Sequence, residues 1–280
     1  MTFFIFLRQR AFARTWSIHK SFLVPQRPGR KYLDTKLLRS FSTTPQQGTA
    51  GMMVSLGKYR AHASRGGLRI LAEDAGQRIN VTAISEWSDE IELFVDGRDG
   101  FPQKLQFDHN DEDGRFVLRV VSDGTKDLTR EIRASIPNQY DLEICVSEGN
   151  IQVPNEVKGD VHLETGNGDI LVKKLQGAAL TLAAPGGAVA VSKVAEGALV
   201  ARAARFEAKL LKGDKIDIEC EQDLLVGAVY SRAAQFVSRA GRVEVGGCHG
   251  TLTARARGGG GIAVHDVNGA VDLLAEGELA

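Results

Sequence analysis

A five-residue phrase returns along the C-terminal half of this 280-residue chain: glycine, any residue, Ile or Val, any residue, Val. It reads Gly149-Asn150-Ile151-Gln152-Val153, Gly168-Asp169-Ile170-Leu171-Val172 and Gly187-Ala188-Val189-Ala190-Val191. It comes back as Gly241-Arg242-Val243-Glu244-Val245 and Gly260-Gly261-Ile262-Ala263-Val264. The first apolar residues fall at 151, 170, 189, 243 and 262, so the steps are 19, 19, 54 and 19, and the long gap holds three units of 18. A fixed period of this size marks a repeat architecture, in which each unit buries its apolar face only against its neighbours.

Half-beats lie between the main ones, at Val161, Leu180, Leu199, Ile216, Leu252 and Val271, so a new strand starts at about half the main step. Twenty of the 31 glycines, but only Pro154 and Pro185 among the prolines, lie in residues 149–280. Glycine suits tight corners that need positive φ. A scarcity of proline suits strands whose N–H groups must all pair. The pattern predicts a mainly β chain whose C-terminal half is a parallel β-solenoid of about 19-residue rungs. About seven rungs stacked at ~4.8 Å make a rod roughly 34 Å long. Ile151/Val153, Ile170/Val172 and Val189/Val191 are expected to stack as interior columns, and the Ala-rich stretches Ala178–Ala184 and Ala198–Ala208 to form narrow rungs. A meander of antiparallel hairpins is the rival fold, but it gives no reason for one phrase to recur. Upstream, Leu68–Ile70, Ile79–Ala83, Ile91–Val95, Lys104–Phe107, Arg115–Val121 and Asp141–Val146 alternate as strands do. The expected organisation is a presequence at 1–45, a linker at 46–65, a smaller N-terminal β region at 66–148 and solenoid repeats at 149–280.

The segments Gly66–Ala83, Ser135-Ile136-Pro137-Asn138-Gln139-Tyr140-Asp141-Leu142 and Ser147–Gly177, with its Gly-Asn-Gly-Asp-Ile phrase, resemble the bacterial putative-adhesin β-solenoid domain, a domain of unknown function. Taken with the N-terminal segment described next, the chain resembles mitochondrial eukaryotic members of that family. The resemblance covers roughly residues 66–280 and rests on structural glycines and alternation. It implies the fold and brings no catalytic residue, cofactor or metal with it.

Charge divides the chain. Residues 1–50 hold six Arg and three Lys against Asp34 alone, a net +8, whereas everything after them carries −8. The acidic body argues against nucleic acid as the main partner. The basic segment sets Phe3, Phe4, Phe6 and Leu7 beside Arg8, Arg10 and Arg14, and ends in Arg39-Ser40-Phe41-Ser42-Thr43-Thr44. It reads as an amphipathic mitochondrial targeting presequence, with the matrix as destination. A secretory signal fits less well, because Met1–Leu7 is short for its apolar region and the charge follows that region. No apolar run approaches the length of a membrane span.

The side chains that carry chemistry are scattered. Cys145, Cys220 and Cys248 form no C-x-x-C, and their odd count suits neither a disulfide framework nor a zinc site. The cluster Asp108–Gly114 misplaces its glycine for a calcium loop and reads as a solvated hairpin. Gly166–Gly168 and Gly258–Gly261 lead into no helix and read as corners instead of phosphate-binding loops. Cys248 and His249, with His265 and Asp266, offer one nucleophilic pairing to test, should stacking bring them together. Catalytic, cofactor and metal residues are therefore expected to be none.

These readings favour a non-catalytic scaffold or protein-binding module in mitochondria. The alternatives are a solenoid polysaccharide hydrolase or lyase, which needs stacked acids and sugar platforms, and a self-assembling structural protein. Self-association is expected through the C-terminal rung, where Val271–Leu274 present a strand edge with no cap in Glu278-Leu279-Ala280. The presequence predicts cleavage between about residues 39 and 50 on import. N-terminal sequencing of the endogenous protein checks this, and an intact Met1 contradicts it.

Overall fold

Period-two alternation gives each strand an inward and an outward face, and the constant beat sets inward residues of successive turns above one another. The structure, a computed structural model, describes residues 53–61, 66–72, 78–96, 105–110, 114–120 and 129–276. About 85% of these residues are in strands and none in helices, and the chain winds into about seven parallel solenoid turns of about 19 residues. The presequence expected at 1–45 lies outside the described residues.

Along the chain the strands are β1 (Met53–Arg60), β2 (Gly67–Ala72), β3 (Arg78–Glu86), β4 (Glu90–Asp96), β5 (Leu105–Asn110), β6 (Arg115–Val120) and β7 (Thr129–Pro137). They continue as β8 (Asp141–Glu148), β9 (Ile151–Val157), β10 (Val161–Asn167), β11 (Ile170–Cys220), β12 (Leu224–Ser238), β13 (Val243–Ala256) and β14 (Ile262–Ala275). β11 runs unbroken through almost three turns because its corners stay paired to neighbouring turns. It thereby links the two faces of the stack, pairing β9 on one and β10 on the other.

On the first face, Ile151 lies opposite Ile170, and Phe206, Leu224, Val243 and Ile262 continue the column. On the second face, Leu142, Val161 and Leu180 align, and further on Ile216, Ala234, Leu252 and Val271. The predicted interior residues Ile151, Val153, Ile170, Val172, Val189 and Val191 are all buried. The long gap in the beat divides unevenly instead of into three equal units. Phe206 pairs with Leu224 and Leu224 with Val243, so the step is shortest between Val189 and Phe206. In this shortened stretch Phe206 is fully buried in a turn whose other inward residues include Ala201, Ala203 and Ala208. One large ring thus offsets the small side chains and keeps the interior filled.

The corners explain the glycines and the residue that follows them. A Cβ on Gly168 would overlap the Gly149 carbonyl, and one on Gly187 would overlap the Gly168 carbonyl, so this corner admits only glycine at close approach. Next to it runs a side-chain ladder. The Asn80 Oδ1 accepts from the Asn150 amide, Asn150 Oδ1 from the Asp169 amide, and Asp169 Oδ1 from the Ala188 amide, each at 2.8–2.9 Å. Asp141 and Asp160 do the same at the opposite corner, toward the Asp160 and Ala179 amides. An Asn or Asp at the corner therefore satisfies the amide stacked on it in the next turn.

The N-terminal strands extend the same sheets. β3 lies between β9 and β7, and β2 between β8 and β6, all parallel, so the turn made by β2 and β3 is clamped between later ones. Residues 53–60, inside the expected linker at 46–65, form β1, antiparallel to β4. β4 in turn is antiparallel to β7, and β5 to β6. β1 is hard to see in sequence because a register shift between Ser55 and Gly57 breaks its alternation. At the other end, among the described residues, β14 pairs only with β13.

This packing sets the response to charge on either side of the sheet. Ile170 is fully buried whereas Lys173 is exposed. Ile170→Asp is expected to cost several kcal/mol, because it buries an unpaired carboxylate, and Lys173→Asp to leave the melting temperature nearly unchanged. Equal thermal shifts for the two variants would contradict the inward register. Glu207 is 7% exposed, and burial raises its carboxyl above the ordinary range, against a smaller lowering by Arg205. A raised folded-state pKa means stability falls as pH climbs from the ordinary carboxylate value through the raised one. Glu207→Gln is accordingly expected to melt a few degrees higher than wild type at pH 7. That advantage should vanish only well below pH ~4, where both states carry the proton.

Candidate functional site

Each turn bends after its first-face pass, and the residues of this bend line up along one edge of the rod. Near the N-terminal end the edge carries a cavity of about 320 Å³ lined by Ser85, Glu86, Trp87, Asn138, Asn155, Glu156, Lys173, Lys174 and Lys193. Its wall is built from five places in the chain: the end of β3, the turn between β7 and β8, the bend of β9, and two successive bends of β11. Backbone and amide bonds stitch them together. The Asn138 amide donates to the Glu86 carbonyl (3.0 Å) and Asn155 Nδ2 to the Ser85 carbonyl (3.0 Å). The Ser85 hydroxyl donates to the Glu156 carbonyl, and the Lys158 amide to the Asn138 carbonyl (2.6 Å).

Trp87 stands at this cavity with 82% of its surface exposed, and the Lys158 ammonium sits 4.9 Å from its ring centroid. A cation over an indole face holds the ring in place without hiding it. Lys173 and Lys193 belong to the same edge, and Lys173 is exposed. Lys174 is engaged with Glu156 at 2.7 Å, a hydrogen bond that, as its largest cause, holds the Glu156 carboxyl below the ordinary range. At about one-third exposure that pair contributes little to stability. It fixes Glu156 as an anion and leaves the neighbouring lysines to give the cavity a net positive lining.

The nucleophilic pairing weighed from sequence does not form. Cys248 and His249 are consecutive on β13 and point to opposite sides. Cys248 is 1% exposed in the core opposite Val267, while the His249 ring stacks outward on Tyr230 at 4.3 Å. His265 approaches Glu244 (3.9 Å), and Asp266 lies opposite Gly247. Burial pushes the Cys248 thiol up to about 11 and the Cys220 thiol up to about 12, so neither is poised as a thiolate. Cys220 donates to the Gln222 carbonyl at 3.0 Å, and Ser238 to the Gln222 and Gly241 carbonyls, as polar members of an interior column. Asp108 is exposed on β5, which pairs antiparallel with β6 up to Asn110 opposite Arg115, while residues 111–113 of the acidic cluster lie outside the described residues. Gly168 is a corner, as read from sequence. Cys145 differs from the other two cysteines: it is half-buried on the outer face of β8, beside His162 and Glu164 of β10.

The arrangement as a whole is a parallel β-solenoid with a basic, tryptophan-bearing edge. No known protein family's profile matches the chain. No curated protein matches it either. Among solved structures it is similar to a putative adhesin from Parabacteroides merdae, at 17% identity and a TM-score of 0.40, over 81% of this chain and 97% of that one. It is also similar to a putative adhesin from Bacteroides fragilis, at 14% identity and 0.39, over 81% and 97%. A putative cell adhesion protein from Clostridium sporogenes is similar at 6% identity and 0.36, over 81% and 100%.

The contrast among the cysteines gives a direct test. In folded protein at pH 8, iodoacetamide is expected to alkylate Cys145 first and to reach Cys220 and Cys248 only after unfolding. Peptide mass analysis showing equal labelling of the three would contradict their placement.

Proposed function

We propose that the chain is a non-catalytic protein-binding module of mitochondria, and that the Trp87 edge is where it takes an acidic segment of its partner. The observation that carries this reading is the exposed indole beside Lys158, Lys173 and Lys193, at the mouth of a formed cavity. Exposed tryptophan with flanking cations is the composition of interface anchors: the ring supplies apolar contact area and the ammonium groups select for carboxylates. The mitochondrial setting rests on the basic presequence at 1–45. The hydrolase or lyase reading finds less support at this edge. Of the two carboxyl groups lining the cavity, Glu156 is held ionised by Lys174 and so is a poor proton donor.

Proximity labelling from the mature protein in intact mitochondria tests the proposal. Trp87→Ala combined with Lys173→Glu and Lys193→Glu is expected to remove from the labelled set a partner that carries an acidic segment, while the protein melts as wild type does. An unchanged labelled set would overturn the assignment of the edge.

A further inference from the structure

On the outer surface of the second face, strand register gathers three side chains of metal-ligating type, none of which lines the Trp87 cavity. Cys145 of β8 lies directly opposite Glu164 of β10, and His162 is two residues before Glu164, hence on the same face of the sheet. One ligand atom from each residue, the Cys145 Sγ, a His162 ring nitrogen and a Glu164 carboxylate oxygen, lies within 4.8 Å of the others. His162 Nε2 is already 3.5 Å from Glu164 Oε2. We infer that Cys145, His162 and Glu164 form a zinc(II)-binding site.

The chemistry suits that ion. Zinc accepts mixed sulfur, nitrogen and oxygen donors at about 2.0–2.3 Å, so three ligand atoms need to close to roughly 3.3–3.8 Å of one another. From the present spacing this takes small rotations of the side chains, with no movement of the strands. Three protein ligands leave a fourth position for water or for a group from outside, the arrangement of open zinc sites. The next turn leaves room for the ion, because the residues opposite His162 and Glu164 are Thr181 and Ala183, both small. Glu143, opposite His162 in the preceding turn, is paired with Arg69 at 2.9 Å. On binding, the Cys145 thiol gives its proton to solvent as the sulfur–zinc bond forms, so uptake of one ion releases one proton from that group.

Cys145 also differs from the other two thiols in its surroundings, with Leu71 opposite it in the preceding turn and Glu164 in the next. Cys220 and Cys248 point into the core, where a small apolar residue serves. Cys145 is on the solvent side of the sheet, flanked by an imidazole and a carboxylate.

The full-length protein, reduced and stripped of metal, tests the site by titration with zinc(II) alone and, in parallel, with cobalt(II) alone. One equivalent of zinc is expected to bind and to protect Cys145 from iodoacetamide. One equivalent of cobalt should give a thiolate-to-cobalt charge-transfer band in the near ultraviolet. Cys145→Ser should lose the band and the stoichiometric zinc site, and His162→Ala the stoichiometric site. Cys248→Ser and His249→Ala should bind as wild type does. All three ligands are on the outer face, so their variants should keep the wild-type melting temperature without metal. Absence of the band, or a band and stoichiometry that survive Cys145→Ser or His162→Ala, would overturn the proposal.

Discussion

Every other feature of this molecule depends on one constraint: parallel strands of successive turns must stay in register at the step of the sequence repeat. Parallel pairing leaves each strand inside the stack hydrogen-bonded on both sides, so a slip of one position in any turn would reverse inward and outward side chains in all of it. Two devices resist that slip. Inward apolar residues such as Ile151, Ile170 and Leu224 stack on their equivalents in neighbouring turns, which penalises misregistration through lost burial. At the corners, Asn150, Asp160 and Asp169 each accept a hydrogen bond from the amide one turn later, which fixes the register locally and polarly. Glycines such as Gly168 and Gly187 permit the close backbone approach this requires.

The same register builds the surfaces. Because outward residues also recur every turn, groups far apart in sequence form continuous stripes. Lys174 and Lys193 are one turn apart and share the cavity edge with Trp87. Cys145 and Glu164 are one turn apart and meet on the outer surface of the second face. A solenoid of this kind is a rigid ruler on which side chains are placed by residue number modulo the turn. Its functional content lies in what that placement brings together.

The repeat was legible in sequence because its signals are local: alternation, a glycine before many of the strands, and a nearly constant step. The interior columns at Ile151/Val153 and Ile170/Val172 followed from these alone. The insertion of β2 and β3 between later turns was not legible, since it depends on pairing between positions far apart in the chain, as Val81 with Ile151, and no local pattern encodes it. β1 was hidden by its bulge at Gly57 within a stretch of mixed polarity. The sites were missed for a different reason. Spacing rules for metals and nucleophiles assume ligands on one helix, loop or hairpin, whereas here they come from stacked turns. Reading the polar residues at the step of the repeat would have exposed Cys145 with Glu164, and Lys174 with Lys193.

Amide hydrogen exchange in wild type and in Asn150→Ala tests the register most directly. The Asp169 amide donates to Asn150 Oδ1, while the Ala188 and Arg242 amides donate to Asp169 and Asp223. Loss of the Asn150 side chain should therefore accelerate exchange at Asp169 and leave Ala188 and Arg242 protected. Unchanged exchange at Asp169, or equal acceleration at all three amides, would contradict a ladder in which each corner residue holds the amide one turn on.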